Sequence, residues 1–524
     1  MVSICSVPSA TPPQIEWQQS LGGFSDDSLS TLQQISDGGY VLSGWSGSPP
    51  SGVKTSPYYG ISDLWVVRLD AKGQILWDHS FGGVAQEGTP CAVRQTRDGG
   101  FIVASQSNSR ISGNKTSSGF GNPESGYYDL WIIRLDGNGN KLWEASYGGA
   151  RNEFFGAVEE TSDGGFILGG SSDSDVTGTK TSANDRLTDY WLVRLDANGL
   201  KLWDRSFGGS GDDYLYALHQ TADGGFILGG ESWSPVSGNK TSPNHGASDF
   251  WVVRVDQEGN KLWEESYGGT GQEILYSLAQ AADGGFILGG YSYSGATGNK
   301  TSSNFGITDY WVVRTDARGN IVWDKAYGGG GVSVLRSLRT TADGGLVLGG
   351  YSDDQWAEGR VGNKTSPSFG SSDFWILRVD KRGDILWDLS LGGTSDDLLF
   401  DLQPTTDGGF IVGGEALSSP SGNKTTLSYG LRDYWVVKLA PEDSDADGVP
   451  DLHDLCPGTA PGAVVDASGC SLEQICPCDG AWKSHGEYVS CVARAAASFV
   501  NAGLITGARR TQILTQAANA SCGR

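Results

Sequence analysis

The sequence has little of several features that mark common protein classes. It contains no run of about 20 consecutive apolar residues, the length that a membrane-spanning helix needs. Lys and Arg number 37 against 61 Asp and Glu, so the formal net charge is −24. A protein that binds nucleic acid needs a basic surface that displaces counterions. The composition therefore argues against a membrane span and against a nucleic-acid partner.

Motifs of catalysis are also scarce. There is no Gly-Lys dipeptide and hence no phosphate-binding P-loop, no H-E-x-x-H metal site and no G-x-S-x-G nucleophile. The 61 acidic residues nevertheless include many chance pairs of carboxylates, the groups that glycosidases use. A polysaccharide-cleaving enzyme, either a glycoside hydrolase or a lyase, therefore stays an alternative to a binding protein.

What the sequence does contain is a repeat of about 60 residues, marked by tryptophan. One series is Trp17, Trp77, Trp143, Trp203, Trp263, Trp323 and Trp387. A second series is Trp65, Trp131, Trp191, Trp251, Trp311, Trp375 and Trp435. Together they account for 14 of the 18 Trp. Large side chains at fixed repeat positions indicate packing between neighbouring units.

Each unit has four short strand-like runs separated by turn signals such as Asp223-Gly224-Gly225. Four strands repeated seven times predict an all-β fold, a seven-bladed β-propeller. A parallel β-helix is the alternative, but its repeats are shorter. The chain starts with a fourth-strand motif, 15–20, and the seventh unit stops after its third strand, 433–439. The N-terminal strand is therefore expected to close the last blade.

The motifs D-Y-W-V-V-x-L-D-x-x-G-x-x-x-W-D and D-G-G-F-I-x-G-G over residues 15–440 resemble the tandem propeller repeats of large secreted and cell-surface bacterial proteins. The resemblance implies the fold and an extracellular or cell-surface location. It implies no activity, because that family has none in common.

The segment after the propeller reads Asp443-Ser-Asp445-Ala-Asp447-Gly448-Val-Pro-Asp451-Leu-His-Asp454-Leu-Cys456-Pro457 and resembles a thrombospondin type 3 calcium repeat. Carboxylates at loop positions 1, 3, 5, 9 and 12, a Gly at 6 and a carbonyl at 7 can surround Ca²⁺ with oxygen atoms. The expected ligands are Asp443, Asp445, Asp447, Val449 through its carbonyl, Asp451 directly or through water, and Asp454. The alternative is a solvated acidic linker without an ion.

Six of the eight Cys lie in the last 69 residues, which is typical of disulfides formed in an oxidising compartment. We expect Cys456 to pair with Cys470, two further disulfides within 476–524 whose pairing stays open, and Cys91 as a buried thiol. Cys476-Pro477-Cys478 would also suit zinc, but a second paired ligand motif is missing. Runs 488–502 and 506–520 predict two amphipathic helices.

The predicted organisation has four parts. They are an N-terminal extension (1–14), the propeller (15–440), a calcium-binding linker (441–475) and a Cys-rich, disulfide-bonded α-helical module (476–524). Residues 1–14 show no intact signal peptide, so export is inferred from the Cys cluster. The sequence gives no indication of oligomeric state.

Long loops and blade-to-blade connections should share one face, which we call the top face. Acidic residues recur there at the start of six units and either hold a cation at the channel mouth or cap their own turns. Residues that do not repeat are better candidates for a ligand site. They are Trp45, Trp233, Tyr291, Tyr293, Tyr351 and Trp356. Alternatively, these rings pack under the long loops.

These observations favour a secreted or cell-surface, non-catalytic adhesion or binding propeller that recognises a glycan or a surface protein through its top face. The alternatives are the polysaccharide-cleaving enzyme and a structural surface-layer component.

Overall fold

The computed structural model describes residues 11–121, 125–354, 362–460 and 462–523. Within them lie 28 strands and three helices. The strands form seven four-stranded sheets, so the predicted seven-bladed β-propeller is confirmed. The chain divides into two compact units. One comprises Glu16–Pro404 and Ile411–Lys438, and the other contains the chain from Leu439 onward with Thr405–Phe410.

The strands follow the blades in order, apart from β1 (Ile15–Leu21). Blade 1 consists of β2 (Asp27–Gln34), β3 (Tyr40–Ser46), β4 (Asp63–Leu69) and β5 (Ile75–Phe81). Blade 2 consists of β6 (Glu87–Gln95), β7 (Phe101–Ser107), β8 (Asp129–Leu135) and β9 (Lys141–Tyr147). Blade 3 consists of β10 (Glu153–Glu160), β11 (Phe166–Ser172), β12 (Asp189–Leu195) and β13 (Lys201–Phe207). Blade 4 consists of β14 (Asp213–Gln220), β15 (Phe226–Ser232), β16 (Asp249–Val255) and β17 (Lys261–Tyr267). Blade 5 consists of β18 (Glu273–Gln280), β19 (Phe286–Ser292), β20 (Asp309–Thr315) and β21 (Ile321–Tyr327). Blade 6 consists of β22 (Val332–Thr340), β23 (Leu346–Asp353), β24 (Asp373–Val379) and β25 (Ile385–Leu391). Blade 7 consists of β26 (Asp397–Pro404), β27 (Phe410–Ala416), β28 (Asp433–Leu439) and β1.

Strand register defines the two faces of the propeller. In blade 1, Asp27 pairs with Ser46, which pairs with Asp63. The start of the first strand, the end of the second and the start of the third therefore lie on one edge. This edge carries the long loops and is the top face.

Both tryptophan series pack between blades. The third-strand series is fully buried, and Trp251 lies against Tyr190 of the preceding blade with ring centroids 4.7 Å apart. The Tyr190 hydroxyl donates a hydrogen bond to the Trp251 carbonyl at 2.9 Å. The fourth-strand series is less buried and packs edge-on against the following blade, as Trp263 does on Phe286 at 5.8 Å. One repeat position thus ties each blade to the blade before it and the other to the blade after it.

In blades 1 to 6, an acid one residue after the fourth-strand Trp anchors the long loop. The Trp191 indole N–H donates to Asp204 at 3.0 Å, and the backbone N–H groups of Thr181 and Ser182 donate to the same carboxylate. Burial opposes ionisation of Asp204, but these donors and Lys201 hold its pKa well below the usual range. The W-D motif therefore fixes loop position.

The N-terminal strand closes the ring as predicted, because β1 pairs with β28. The side chain of Gln18 donates to the Asn423 carbonyl at 3.0 Å and accepts from the Thr425 N–H and the Trp435 indole N–H. Gln18 thus takes the place of the loop-anchoring acid in blade 7. Blade 7 therefore has four strands, like the other six blades.

The second unit contains α1 (Leu472–Ile475), α2 (His485–Asn501) and α3 (Gly507–Asn519). The two longer helices were predicted, but α2 starts three residues earlier because Ser484 caps the Glu487 N–H. Disulfides join Cys456 to Cys470, Cys476 to Cys491 and Cys478 to Cys522. The predicted disulfides are confirmed, and these bonded thiols are not free to bind zinc.

Two further observations complete the fold. Cys91 is a buried free thiol, as expected, and burial raises its pKa to about 11. Within the described part of the chain, none of the helices combines the length and apolarity needed to cross a membrane.

Candidate functional site

The repeated acids at the start of the first strands cap their own turns. Asp27 accepts the N–H of Gly23 at 2.7 Å, and Glu153 accepts that of Gly149 at 3.0 Å. Each acid also faces a buried third-strand aspartate across the blade junction. Burial, with a contribution from Glu153, raises the pKa of Asp129 to about 8. The structure therefore favours turn capping by these acids, at the blade junctions, over a ring of carboxylates that binds a cation.

Blade 6 lacks the first-strand acid but keeps a carboxylate at the same blade junction. Ser333 stands where the other six blades have a first-strand acid, and Asp354 stands where all six have a loop serine. An added Cβ on Gly329 would meet Asp354, just as one on Gly23 would meet Ser48. Asp354 lies 3.0 Å from the ammonium of Lys364. Serine and acid have exchanged places, which supports an architectural role.

The central channel contains a cavity of about 730 Å³ lined by the first strands of all seven blades. In five of these strands a register shift leaves one bulged residue three positions after the first-strand acid position, and in β6 the shift extends over the residues between Glu87 and Cys91. A bulge re-aims its extra residue. The bulged residues, which all line the cavity, are Ser30, Gly156, Tyr216, Tyr276 and Arg336. Phe400 has the same position in blade 7 and also lines it.

Unrepeated aromatic residues cluster at one side of this cavity. The cluster, which we call the aromatic arc, comprises Tyr216, Tyr276, Tyr291, Tyr293, Tyr351 and Phe400. Ring centroids are 5.2 Å apart for Tyr216 and Tyr276, 6.0 Å for Tyr276 and Tyr291, and 5.9 Å for Tyr291 and Tyr293. The arc thus runs from the channel to Tyr293, which is 50% exposed on the top face.

Arg336 lies within the arc. Its guanidinium carbon is 4.2 Å from the ring centroid of Tyr276 and 5.3 Å from that of Phe400. Burial raises the pKa of Tyr351, and the charge and hydrogen bond of Arg336 oppose that rise. Burial also raises the pKa of Tyr216, whose hydroxyl donates to Glu231 at 3.1 Å. Both phenols therefore stay protonated at neutral pH, with Tyr216 donating to Glu231 and the Tyr351 oxygen accepting from Arg336.

Only some of the predicted ligand residues lie together. Tyr291, Tyr293 and Tyr351 are neighbours in the arc, whereas Trp233 is 42% exposed at the end of β15 and Trp45 is half-buried in blade 1. Trp356 lies outside the described residues. The sequence interpretation missed Tyr216, Tyr276, Arg336 and Phe400. A signal was available, because the third residue after the first-strand acid position varies among the repeats: it is Ser30, Pro90, Gly156, Tyr216, Tyr276, Arg336 and Phe400.

The predicted calcium ligands form a separate cluster in the second unit. Asp443, Asp445 and Asp447 each place a carboxylate oxygen within 4.8 Å of the others. Among the described residues, Oδ1 of Asp445 and Oδ2 of Asp447 are buried without a hydrogen-bond partner. An added Cβ on Gly469 would meet both Asp454 and Asp447, so these two carboxylates share one space. The Asp451 carboxylate instead accepts two hydrogen bonds from Ser444, at 2.7 and 2.5 Å. Val449 donates its N–H to Asp447 at 2.8 Å.

Comparison with known proteins gives a distant relative. No family model matches the chain. It is 23% identical over 390 residues to the regulatory protein FlaEY of Caulobacter vibrioides, a match that covers 67% of this chain. The chain spans 39% of the length of that relative.

Solved structures show low similarity. The Pan2 WD40 domain of Neurospora crassa aligns with a TM-score of 0.42 and 10% identity over 82% of this chain and 97% of that one. Sqt1 of Chaetomium thermophilum aligns with a TM-score of 0.39 and 10% identity over 81% and 99%. At these TM-scores and identities, no function is inferred from the two structures.

Proposed function

We propose that the protein is an extracellular or cell-surface, non-catalytic binding propeller that recognises a glycan or a surface protein through the aromatic arc. The observation that carries this proposal is the asymmetry of the channel lining. The residues that recur in every blade pack at blade junctions or anchor loops. The aromatic arc, in contrast, occurs once in the propeller and reaches the top face through Tyr293. Exposed aromatic rings beside a cavity are typical of ligand sites.

The chemistry of the arc suits recognition. Its phenols combine a flat apolar face with a hydroxyl donor, and they lose little side-chain entropy on binding. The regulatory function stated for the Caulobacter relative is compatible with a binding protein. Three disulfides support an oxidising compartment and therefore an extracellular location.

The linker is proposed to bind Ca²⁺ through Asp443, Asp445, Asp447 and Asp454. Two buried, unpartnered carboxylate oxygens within one cluster are costly unless a cation or protons satisfy them. The carbonyl of Val449 would add an oxygen at loop position 7. Asp451, held by Ser444, would act through a bridging water.

The proposal is tested by screening the full chain against a glycan array and against bacterial surface extracts, with a parallel assay for polysaccharide cleavage. Tyr293→Ala is then compared with Tyr58→Ala, an equally simple change at a tyrosine that is 40% exposed on blade 1. We expect Tyr293→Ala to weaken binding about tenfold or more and Tyr58→Ala to leave it unchanged.

Other outcomes would replace the proposal. Release of shortened saccharides would support the enzyme instead. Self-assembly into sheets without any bound ligand would support the surface-layer component. Equal loss of binding in both variants would remove the aromatic arc from the site.

A further inference from the structure

The charged lining of the channel cavity is opposite in sign to the protein as a whole. The chain carries a net charge of −24. The cavity lining nevertheless includes Arg94, Arg336 and Arg339 against Glu159 and Asp401. A cationic site inside an acidic protein concentrates field lines and attracts anions.

The two acids of the lining are already engaged. Asp401 accepts hydrogen bonds from Arg339 and Ser337, both at 2.8 Å. Glu159 accepts from the Gln220 N–H at 2.8 Å and lies 3.0 Å from Nδ1 of His219. Arg336 therefore has no ion-pair partner within 4 Å among the described residues, whereas Arg94 interacts electrostatically with Asp401 and Glu159.

Arg336 is the better placed of these two cations. Its guanidinium lies against the rings of Tyr276 and Phe400, which favour a positive charge at this place. Its Nε is buried and has no hydrogen-bond partner in the described part of the chain. Leaving a buried charged donor unpaired costs stability. A planar anion would satisfy guanidinium N–H groups that the protein leaves unused.

The walls of the cavity indicate the class of molecule to which the bound anionic group would belong. An extended peptide binds a sheet edge through a regular ladder of backbone hydrogen bonds. Here the first strands of blades 4, 5 and 6 are bulged at Tyr216, Tyr276 and Arg336, which interrupts such an edge. The same bulges present phenol rings, whose faces suit the apolar face of a sugar ring.

We propose that the channel cavity binds an acidic sugar, with Arg336 holding its carboxylate and Tyr276 and Tyr216 lying against its ring. This inference rests on the proposed binding function and adds the class of ligand. Arg94, on the first strand of blade 2, supplies a second positive charge further along the lining.

The test is calorimetric titration of the full chain with galacturonate and glucuronate, each compared with its neutral counterpart, galactose or glucose. We expect the uronates to bind at least about tenfold more tightly than the neutral sugars, with an affinity that falls as salt rises. Arg336→Gln should lose at least about tenfold in uronate affinity. Arg318→Gln removes the same charge at an exposed hairpin position and should not.

A thermal melt first establishes that Arg336→Gln folds, and ligand-observed NMR of the unaltered chain compares acid and neutral sugars without any variant. Equal binding of acid and neutral sugars, or full affinity in folded Arg336→Gln, would overturn the inference. So would an acidic peptide that binds more tightly than the uronates. If a screened ligand binds through Tyr293 while no uronate binds, the proposed function stands and this inference fails.

Discussion

The two sides of the central channel are built from one repeat but differ at the bulged residue. Blades 1 and 3 place Ser30 and Gly156 there, whereas blades 4, 5 and 6 place Tyr216, Tyr276 and Arg336. The backbone has the same bulge on both sides, so the bulge belongs to the repeated fold. The side chain at the bulged position can therefore vary without a change in the fold. Repeated residues hold blades together, and unrepeated residues at bulges and loops are available for a ligand.

The largest loss of stability is expected from substitution of a repeated tryptophan. Trp251→Ala should cost about 3–5 kcal/mol of propeller stability, because it leaves a cavity at a blade junction and removes the indole donor to Oε2 of Glu264. Trp233→Ala, in the same blade but at an exposed ring, should cost far less. Denaturant unfolding measures both, and equal losses would break the distinction between repeated and unrepeated residues.

The stability of the second unit should depend on its disulfides, because this unit has no repeated blade junctions. Its small apolar core contains Val492, Ala495 and Ala517. Removing the Cys478–Cys522 bridge with a double Ser substitution should cost this unit about 2–5 kcal/mol. Protease protection of 476–524, followed by mass spectrometry, measures the loss. Cys91→Ala, which removes a thiol that forms no disulfide, should leave that protection unchanged.

The blade junctions predict that the propeller is less stable at higher pH. Burial raises the pKa of Asp63 and Asp189 to about 7 and that of Asp129 to about 8, from a usual value near 3.8. The folded state therefore binds protons that the unfolded chain has released, so this stabilisation decreases progressively as pH rises above about 4 and is gone above pH 7 to 8.

Melting between pH 4.5 and 7.5 checks this expectation. The slope is about 1.4 kcal/mol per pH unit for each proton taken up on folding. Asp129→Asn, which resembles the protonated acid, should reduce the slope, and Asp136→Asn at an exposed hairpin should not. A melting temperature that increases with pH over this range would contradict the expectation.

Calcium should have the smallest effect, confined to the linker. Chelation is expected to speed proteolysis of 443–456 by removing the ion that neutralises three clustered carboxylates. Asp445→Asn should reproduce this in the presence of calcium, whereas Asp479→Asn in the same unit should not. Proteolysis that is insensitive to chelator would argue for a solvated linker.

The fold was predictable because its signal is repeated. Two tryptophan positions and the phase of the first strand were enough to predict blade number and ring closure. The site was predictable only in part. Tyr291 and Tyr293 stand out as unrepeated aromatics after a second strand, but Tyr276 enters the channel through a bulge. The sequence shows that this repeat position varies, but a bulge is a property of strand pairing, so the sequence did not show that the residue points into the channel.

The division between structural and binding residues is tested most directly by one matched pair of tyrosines. Melting temperature and affinity for a ligand from the screen are measured for Tyr190→Leu and Tyr276→Leu. Tyr190 is a fully buried residue at a blade junction, and Tyr276 belongs to the aromatic arc. We predict that Tyr190→Leu melts at a lower temperature but binds normally while folded, and that Tyr276→Leu melts normally but loses binding. The reverse pattern, or loss of both properties in both variants, would contradict that division.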